Sequence, residues 1–285
     1  MKVSPVLQSW SIRNKVVVIT GAAGGIGLAL ATAAAECGAR VVLLDLEGGA
    51  VEEAGATLRD AGHDAVGLPC DVTDAEQVAA VFRELRRTHG GVDLLVNNAG
   101  LSHRSLFIDT APEVLRRVME VNFFGSVNAT RAALPDLVER RGRIAVVSTV
   151  AGFAPLTGRT GYAASKHALH GFFDTLRAEL HDAGVRVTIV CPWFVATAMR
   201  ERAMGGDGAP VRTAKAEVGP AMTAEEVAQA ILAAVRSGRR LVALTPRGRF
   251  VWWLSRVMPA LYERLMRRSQ AREFGTGTGT ATRNA

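Results

Sequence analysis

Tyr162 and Lys166 stand four residues apart in the stretch Tyr162-Ala163-Ala164-Ser165-Lys166. On a helix that spacing puts both side chains on one face, where a phenol and an ammonium can act as one proton-transferring unit. A secondary alcohol must lose its proton as hydride leaves its carbon, and a carbonyl must gain one, so the chemistry needs one acid/base that works in both directions. A free phenol has a pKa of about 10, too high for a base near neutrality, and a nearby ammonium favours the phenolate. Tyr162 is the candidate acid/base and Lys166 supplies the charge.

The hydride must come from or go to a cofactor, and a second group of residues is suited to holding one. Thr20-Gly21-Ala22-Ala23-Gly24-Gly25-Ile26-Gly27 follows the apolar run Val16 to Ile19 and precedes a helical stretch. Glycines there let the backbone approach a pyrophosphate, and the helix N-terminus offers it unpaired N–H groups. The spacing of Gly21, Gly25 and Gly27 departs from the usual G-x-G-x-x-G. Asp45 ends the next apolar run, where a carboxylate can accept bonds from both adenosine ribose hydroxyls and would repel a 2′-phosphate. Gly24 and Leu46, the nearby positions where a cation could pair with that phosphate, are uncharged, which favours NAD over NADP.

Both groups must be positioned by regular elements. Short β-branched runs alternate with helical patterns, from Lys15–Thr20 and Ile26–Cys37 through Pro112–Arg140, Gly161–Ala183 and Ala224–Arg236 to Leu241–Leu244. This alternation gives seven candidate strands and predicts an α/β fold, a Rossmann-type doubly wound, mainly parallel sheet forming one domain over 1–245. Ligands then lie beyond the carboxyl ends of the strands. Ala196–Met222, with Gly205-Gly206-Asp207-Gly208 inside it, is expected to form a lid over the site.

With these motifs in this order the chain resembles the short-chain dehydrogenase/reductase family from about Asn14 to Leu244: Thr20-Gly21-x-x-x-Gly25-x-Gly27, Asp71-Val72, Asn97-Asn98-Ala99-Gly100, Asn122, Tyr162-x-x-x-Lys166 and Pro192 through Thr197. The resemblance implies that the Gly-rich turn, Ile26 included, binds the cofactor, and that Asp71 and Val72 contact its adenine. It implies that Asn98, Ala99 and Gly100 line the cofactor, that Pro192, Val195 and Thr197 border the nicotinamide, and that Lys166 also binds the nicotinamide ribose. Asn122 would hold a water relaying protons from Lys166. It also implies a homodimer or homotetramer built partly from the helices near 112–140 and 161–183.

Two positions depart from the family pattern. The hydroxyl that polarises the carbonyl is usually a Ser 13 residues before the Tyr, and that count reaches Thr149, with Ser148 beside it. Thr keeps the hydroxyl but adds a methyl and a stiffer χ1, and both residues remain candidates. Trp193 stands where the family usually has Gly. With Phe153, Phe194, Met199 and Met204 expected nearby, it predicts a pocket for a lipophilic alcohol or carbonyl compound.

Composition limits the other possibilities. The formal net charge is +7, but residues 236–285 hold 11 Arg against Glu263 and Glu273, which leaves the body at about −2 and argues against nucleic-acid binding by the fold. Cys37, Cys70 and Cys191 show no metal-ligand spacing and read as reduced core thiols. The chain lacks a secretory signal pattern or a spanning run of about 18 apolar residues, so a cytoplasmic location is expected. From Phe250 to Leu265 apolar residues recur at helical spacing, predicting an amphipathic extension over 246–273, kinked at Pro259 and followed by a disordered tail over 274–285. Residues 247–268 could cover the pocket, join subunits or touch a membrane surface. Two rival readings accompany the oxidoreductase one: a catalytically weak dinucleotide sensor, and a membrane-surface protein recruited by the basic helix.

Overall fold

The structure is a computed structural model that describes residues 10–196, 202–211 and 221–270. Seven strands, β1 (Val16–Thr20), β2 (Arg40–Asp45), β3 (Ala65–Pro69), β4 (Leu94–Asn97), β5 (Arg143–Val147), β6 (Arg186–Cys191) and β7 (Leu241–Ala243), form one sheet in the order β3-β2-β1-β4-β5-β6-β7. Every adjacent pair is parallel. The chain winds outward one way from β1 to β3 and then crosses back to β4. The crevice at this reversal, between the ends of β1 and β4, is where ligands of such sheets bind.

Side chains of a strand alternate between faces, and each face of this sheet carries its own helix layer. Val17, Ile19, Val41 and Leu43 pack with Leu30 of α1 (Gly25–Glu36), Val51 of α2 (Gly48–Asp60) and Ile231 of α7 (Ala224–Ser237). Val16, Val18, Val42 and Leu44 face α3 (Ala75–His89), α5 (Gly125–Glu139) and α6 (Thr160–Glu179) through Phe82, Leu137 and Phe173. Because both faces are covered, the strands are apolar along their whole length.

Helix ends follow local chemistry. The Asp74 carboxylate accepts from the amides of Glu76 and Gln77 at 3.0 Å to start α3, and Gly90 ends it in the left-handed conformation at φ 73°. Thr223 and Glu226 form a reciprocal capping box on α7.

The expected stretch from Pro112 to Arg140 is not one uniform helix. It divides into α4 (Pro112–Met119), a π-helical turn over Glu120–Phe124 and α5. The widened turn carries Asn122 and turns its side chain toward the loop after β4.

The extension likewise differs from a kinked helix. It forms two helices, α8 (Pro246–Val257) and α9 (Pro259–Gln270), separated by Met258 at φ −136°. Pro259 lacks an N–H and disfavours helical backbone in the residue before it, so the helix stops and restarts. Leu254 and Tyr262 join the core on the α6 face, packing the pair onto the α/β unit. The tail beyond residue 270 and most of the expected lid fall outside the described residues. The described part of the lid is tied down: Met204 N–H donates to the Ser102 carbonyl at 2.9 Å and Arg104 N–H to the Met204 carbonyl at 2.8 Å.

Candidate active site

The crevice begins at the glycine-rich turn. Gly21 leaves β1 at φ 66°, and a Cβ there would come within 2.7 Å of the Ala99 Cα. A Cβ on Gly27 would overlap the Gly21 carbonyl oxygen, so turn and helix can close on each other only with glycine at both places. Asn98 Nδ2 donates to the carbonyls of Thr20 (3.0 Å) and Gly21 (2.8 Å), and Thr20 Oγ1 accepts from the Asn98 and Ala99 amides, each at 3.1 Å. This lattice sets the crevice wall. Thr20 and Gly27, expected to bind the cofactor, stand behind that wall, whereas Gly21, Gly24, Gly25 and Ile26 face the cavity. Gly24 precedes α1 without a side-chain cap bond, so no side chain competes for the amides of the first turn.

Asp45 lines the cavity at the end of β2. Its Oδ2 accepts from the Ala23 amide at 2.9 Å and its Oδ1 from the Glu47 amide at 3.3 Å, which fixes the carboxylate at the cavity edge with lone pairs to spare. Asp71 turns its carboxylate to the Thr73 amide (2.9 Å) and hydroxyl (2.7 Å). Burial pushes this carboxyl up, but those bonds and the charge of Arg117 outweigh it and leave it below its ordinary value. Val72, Ala99 and Gly100 line the cavity beside Asp71, and Pro192 and Val195 line it at the end of β6. Thr197 and Met199 lie outside the described residues.

Tyr162 and Lys166 sit where the cavity meets β5 and α6. Lys166 is 4% exposed and donates from Nζ to the Val147 carbonyl at 2.9 Å; burial lowers its ammonium to about 8. Burial likewise pushes the Tyr162 phenol up to about 12, opposed by the positive charge of Arg159 and by a hydrogen bond from Thr149. The Lys166 ammonium bonds the Val147 carbonyl and lies 5.9 Å from the centroid of the Tyr162 ring, and Arg159 is a further positive charge that favours the phenolate.

The structure also separates the two hydroxyl candidates. The Thr149 hydroxyl favours the Tyr162 phenolate. Ser148, buried at 4% exposure, lies 2.8 Å from His170 Nε2, and Cys191 Sγ lies 3.7 Å from the same nitrogen. Both residues line the cavity, but the Ser148 hydroxyl is held by His170, whereas Thr149 stands by Tyr162.

Asn122 is fully buried and its amide is occupied. Its Oδ1 accepts from the Leu101 amide at 2.6 Å, while Nδ2 donates to the Leu101 carbonyl (3.0 Å) and Ser165 Oγ (2.9 Å). With both amide hydrogens committed, the side chain joins the loop after β4 to α6 and does not line the cavity.

The family description "short chain dehydrogenase" matches residues 15–206, about two thirds of the chain. The chain belongs to the short-chain dehydrogenase family. Its reaction class is accordingly oxidoreduction at a CH–OH group. Among curated relatives it is 38% identical to dehydrogenase/reductase SDR family member 7B of Bos taurus over 90% of this chain and 81% of the relative. It is 34% identical to dehydrogenase/reductase SDR family protein 7-like of Anopheles gambiae over 90% and 83%. A solved short-chain dehydrogenase/reductase from Burkholderia phymatum, in complex with NAD, superposes with a TM-score of 0.75 at 26% identity, covering 95% of this chain and 99% of that one.

Beyond Tyr162 the cavity of this short-chain dehydrogenase, about 730 Å³, continues under the C-terminal helices. Trp193 and Phe194 line it, their rings edge to face at 5.5 Å. Phe153 does not line it; this ring packs into the core, with the Arg256 guanidinium 5.9 Å away. In its place α8 and α9 supply Leu254, Tyr262 and Met266. Tyr262 holds α9 there by donating from its hydroxyl to the Pro155 carbonyl at 2.9 Å.

Two residues at this end escaped the sequence reading. Arg159 precedes α6 and is 4% exposed at the cavity wall. Its only sequence signal is a spacing of three residues from Tyr162. His103 is fully buried, and its Nδ1 accepts the Tyr162 backbone N–H at 3.2 Å. Burial and then the charge of Arg159 lower its imidazole to about 4.

Proposed function

We propose that this protein is an NAD-dependent oxidoreductase that interconverts a lipophilic secondary alcohol and its carbonyl compound. The observation that carries the reading is the Thr149–Tyr162 hydroxyl pair at the junction between the glycine cradle and the apolar end of the cavity. The cradle fits a nicotinamide dinucleotide: Gly24 faces open space where a side chain would intrude and the amides of α1 face an anion, while Asp45 suits an unphosphorylated ribose. Such a cofactor, when bound, supplies or takes the hydride.

The chain's own residues handle the proton and the oxygen. In the reductive direction the Tyr162 hydroxyl gives its proton to the carbonyl oxygen while Thr149 donates a hydrogen bond to that oxygen. In oxidation the Tyr162 phenolate takes the alcohol proton, and Arg159 stabilises the negative phenolate. Lys166, with an ammonium already lowered by burial, is suited to pass the proton onward and to bond the nicotinamide ribose. Asn122 positions the loop at Leu101 against α6 and so keeps the wall opposite Tyr162 fixed. Trp193, Phe194 and the C-terminal helices exclude water and favour an apolar substrate.

The test is the initial rate of nicotinamide absorbance change with NADH or NAD over a panel of apolar and polar carbonyls and alcohols, with wild type beside Tyr162→Phe. Turnover of apolar substrates that disappears in the variant supports the reading. Faster turnover of small polyols or sugars would overturn the lipophilic preference, and equal rates in both proteins would overturn the role of Tyr162.

A further inference from the structure

The extension that covers the cavity has a second face, and that face is apolar. Phe250, Trp253, Val257, Met258, Leu261 and Leu265 are each between 39% and 58% exposed. Trp253 and Val257 lie one turn apart on α8, and Leu261 and Leu265 one turn apart on α9, so each helix presents an outward stripe. Phe250 stacks on Trp253 with ring centroids 6.3 Å apart. A run of large exposed apolar side chains along one pair of helices marks a docking surface.

The surrounding charge points to the kind of partner. Over the two helices Arg247, Arg249, Arg264, Arg267 and Arg268 are exposed, with Glu263 the only acid in the span. A second copy docked through the same face would bring these cations against their equivalents and meet repulsion. An anionic lipid surface instead supplies headgroup phosphates for the arginines and an acyl boundary for Trp253 and its neighbours, the usual division of a helix lying in a bilayer interface. No helix among the described residues is long and apolar enough to cross a membrane, which agrees with contact at the surface.

The position of the stripe gives the contact a use. Phe250 and Leu265 are both exposed and both line the active-site cavity, so the apolar face surrounds a mouth of the pocket. We propose that the α8–α9 face docks on an anionic phospholipid surface and opens the substrate cavity toward the acyl region, so that apolar substrates can enter from the bilayer. The docking does not depend on the proposed function, although its use as a route for substrate rests on that reading.

The test uses the full chain with extruded vesicles of pure phosphatidylcholine and of phosphatidylcholine mixed with phosphatidylglycerol. Binding is read by co-sedimentation and by the blue shift of tryptophan emission. Wild type should bind the anionic vesicles, and Arg267→Gln/Arg268→Gln should lower that partition by about thirtyfold, the loss expected for two surface cations. Trp253→Glu/Leu261→Glu, at positions outside the cavity wall, should abolish binding while leaving the thermal midpoint and NADH turnover of a water-soluble carbonyl unchanged. Failure of wild type to bind anionic vesicles would overturn the proposal. So would light scattering that showed the Trp253→Glu/Leu261→Glu protein dissociating from an oligomer, which would make the face a subunit contact. Because vesicle binding is read without turnover, this result and that of the Tyr162→Phe assay can fail independently.

Discussion

The buried histidine behind Tyr162 makes the stability of this protein depend on pH in a calculable way. His103 is fully buried and burial lowers its imidazole to about 4, from the ordinary value of 6.5. The folded-state pKa lies below that of the unfolded chain, so between pH 6.5 and 4 the unfolded chain binds more protons and folding weakens as pH falls. The contribution is fully present above about pH 7 and, at 1.36 kcal/mol per unit, about 3 kcal/mol is lost once pH falls below both values. At pH 5 the loss from this one group is already about 2 kcal/mol, since almost all unfolded chains and only about a tenth of folded ones carry the proton. His103→Asn keeps an acceptor for the Tyr162 amide at the δ position but does not titrate. It should be less stable than wild type at pH 7.5 because of the space it leaves, and should have the shallower pH dependence. Urea unfolding at pH 7.5 and 5.0 measures both slopes, with the remaining wild-type-like slope assigned to His170, which burial also lowers to about 4. If the two proteins lose the same stability between these pH values, or if the His103 imidazole titrates near 6.5 by NMR, the burial argument is wrong.

Other outcomes follow from the hydrogen bonds at the site. Thr149→Ala should lower kcat by about 10²- to 10³-fold, the cost of losing a donor to developing oxyanion charge. Ser148→Ala should retain kcat within about threefold yet lose about 1–3 kcal/mol in urea unfolding, because His170 Nε2 keeps only the weaker contact with Cys191 Sγ. Asp45→Asn keeps the acceptor for the Ala23 amide and removes the charge, so the ratio of kcat/KM for NADPH over NADH should rise at least about fivefold, the release of one repulsion of about 1 kcal/mol in solvent. An unchanged ratio would show that Asp45 does not select the cofactor.

The strand pattern and the site motifs were legible in the sequence because they depend on local rules. Val16 to Ile19 alternate between two covered faces and must therefore all be apolar, and the Gly-rich turn shows itself because only glycine tolerates φ 66° at Gly21 beside the Ala99 backbone. The order of alternating strands and helices likewise predicts the parallel sheet and places Tyr162, Asp45 and Asn98 near the carboxyl ends of its strands.

Tertiary packing decided what neighbouring residues in the sequence could not. Ser148 and Thr149 are both small hydroxyls, and only the position of α6 sends one to His170 and the other to Tyr162. Lys166 shares a helix face with Tyr162, but only the packing of α6 against β5 gives its ammonium the Val147 carbonyl as a partner. The amphipathic pattern of residues 250–265 established that one side of the extension is apolar. That Leu254 and Tyr262 face the core while Trp253 and Leu261 stay exposed depends on where Pro259 breaks the helix and on the contact of Tyr262 with Pro155. Local spacing fixes which face a side chain shares with its neighbours in the chain, and long-range packing decides what that face meets.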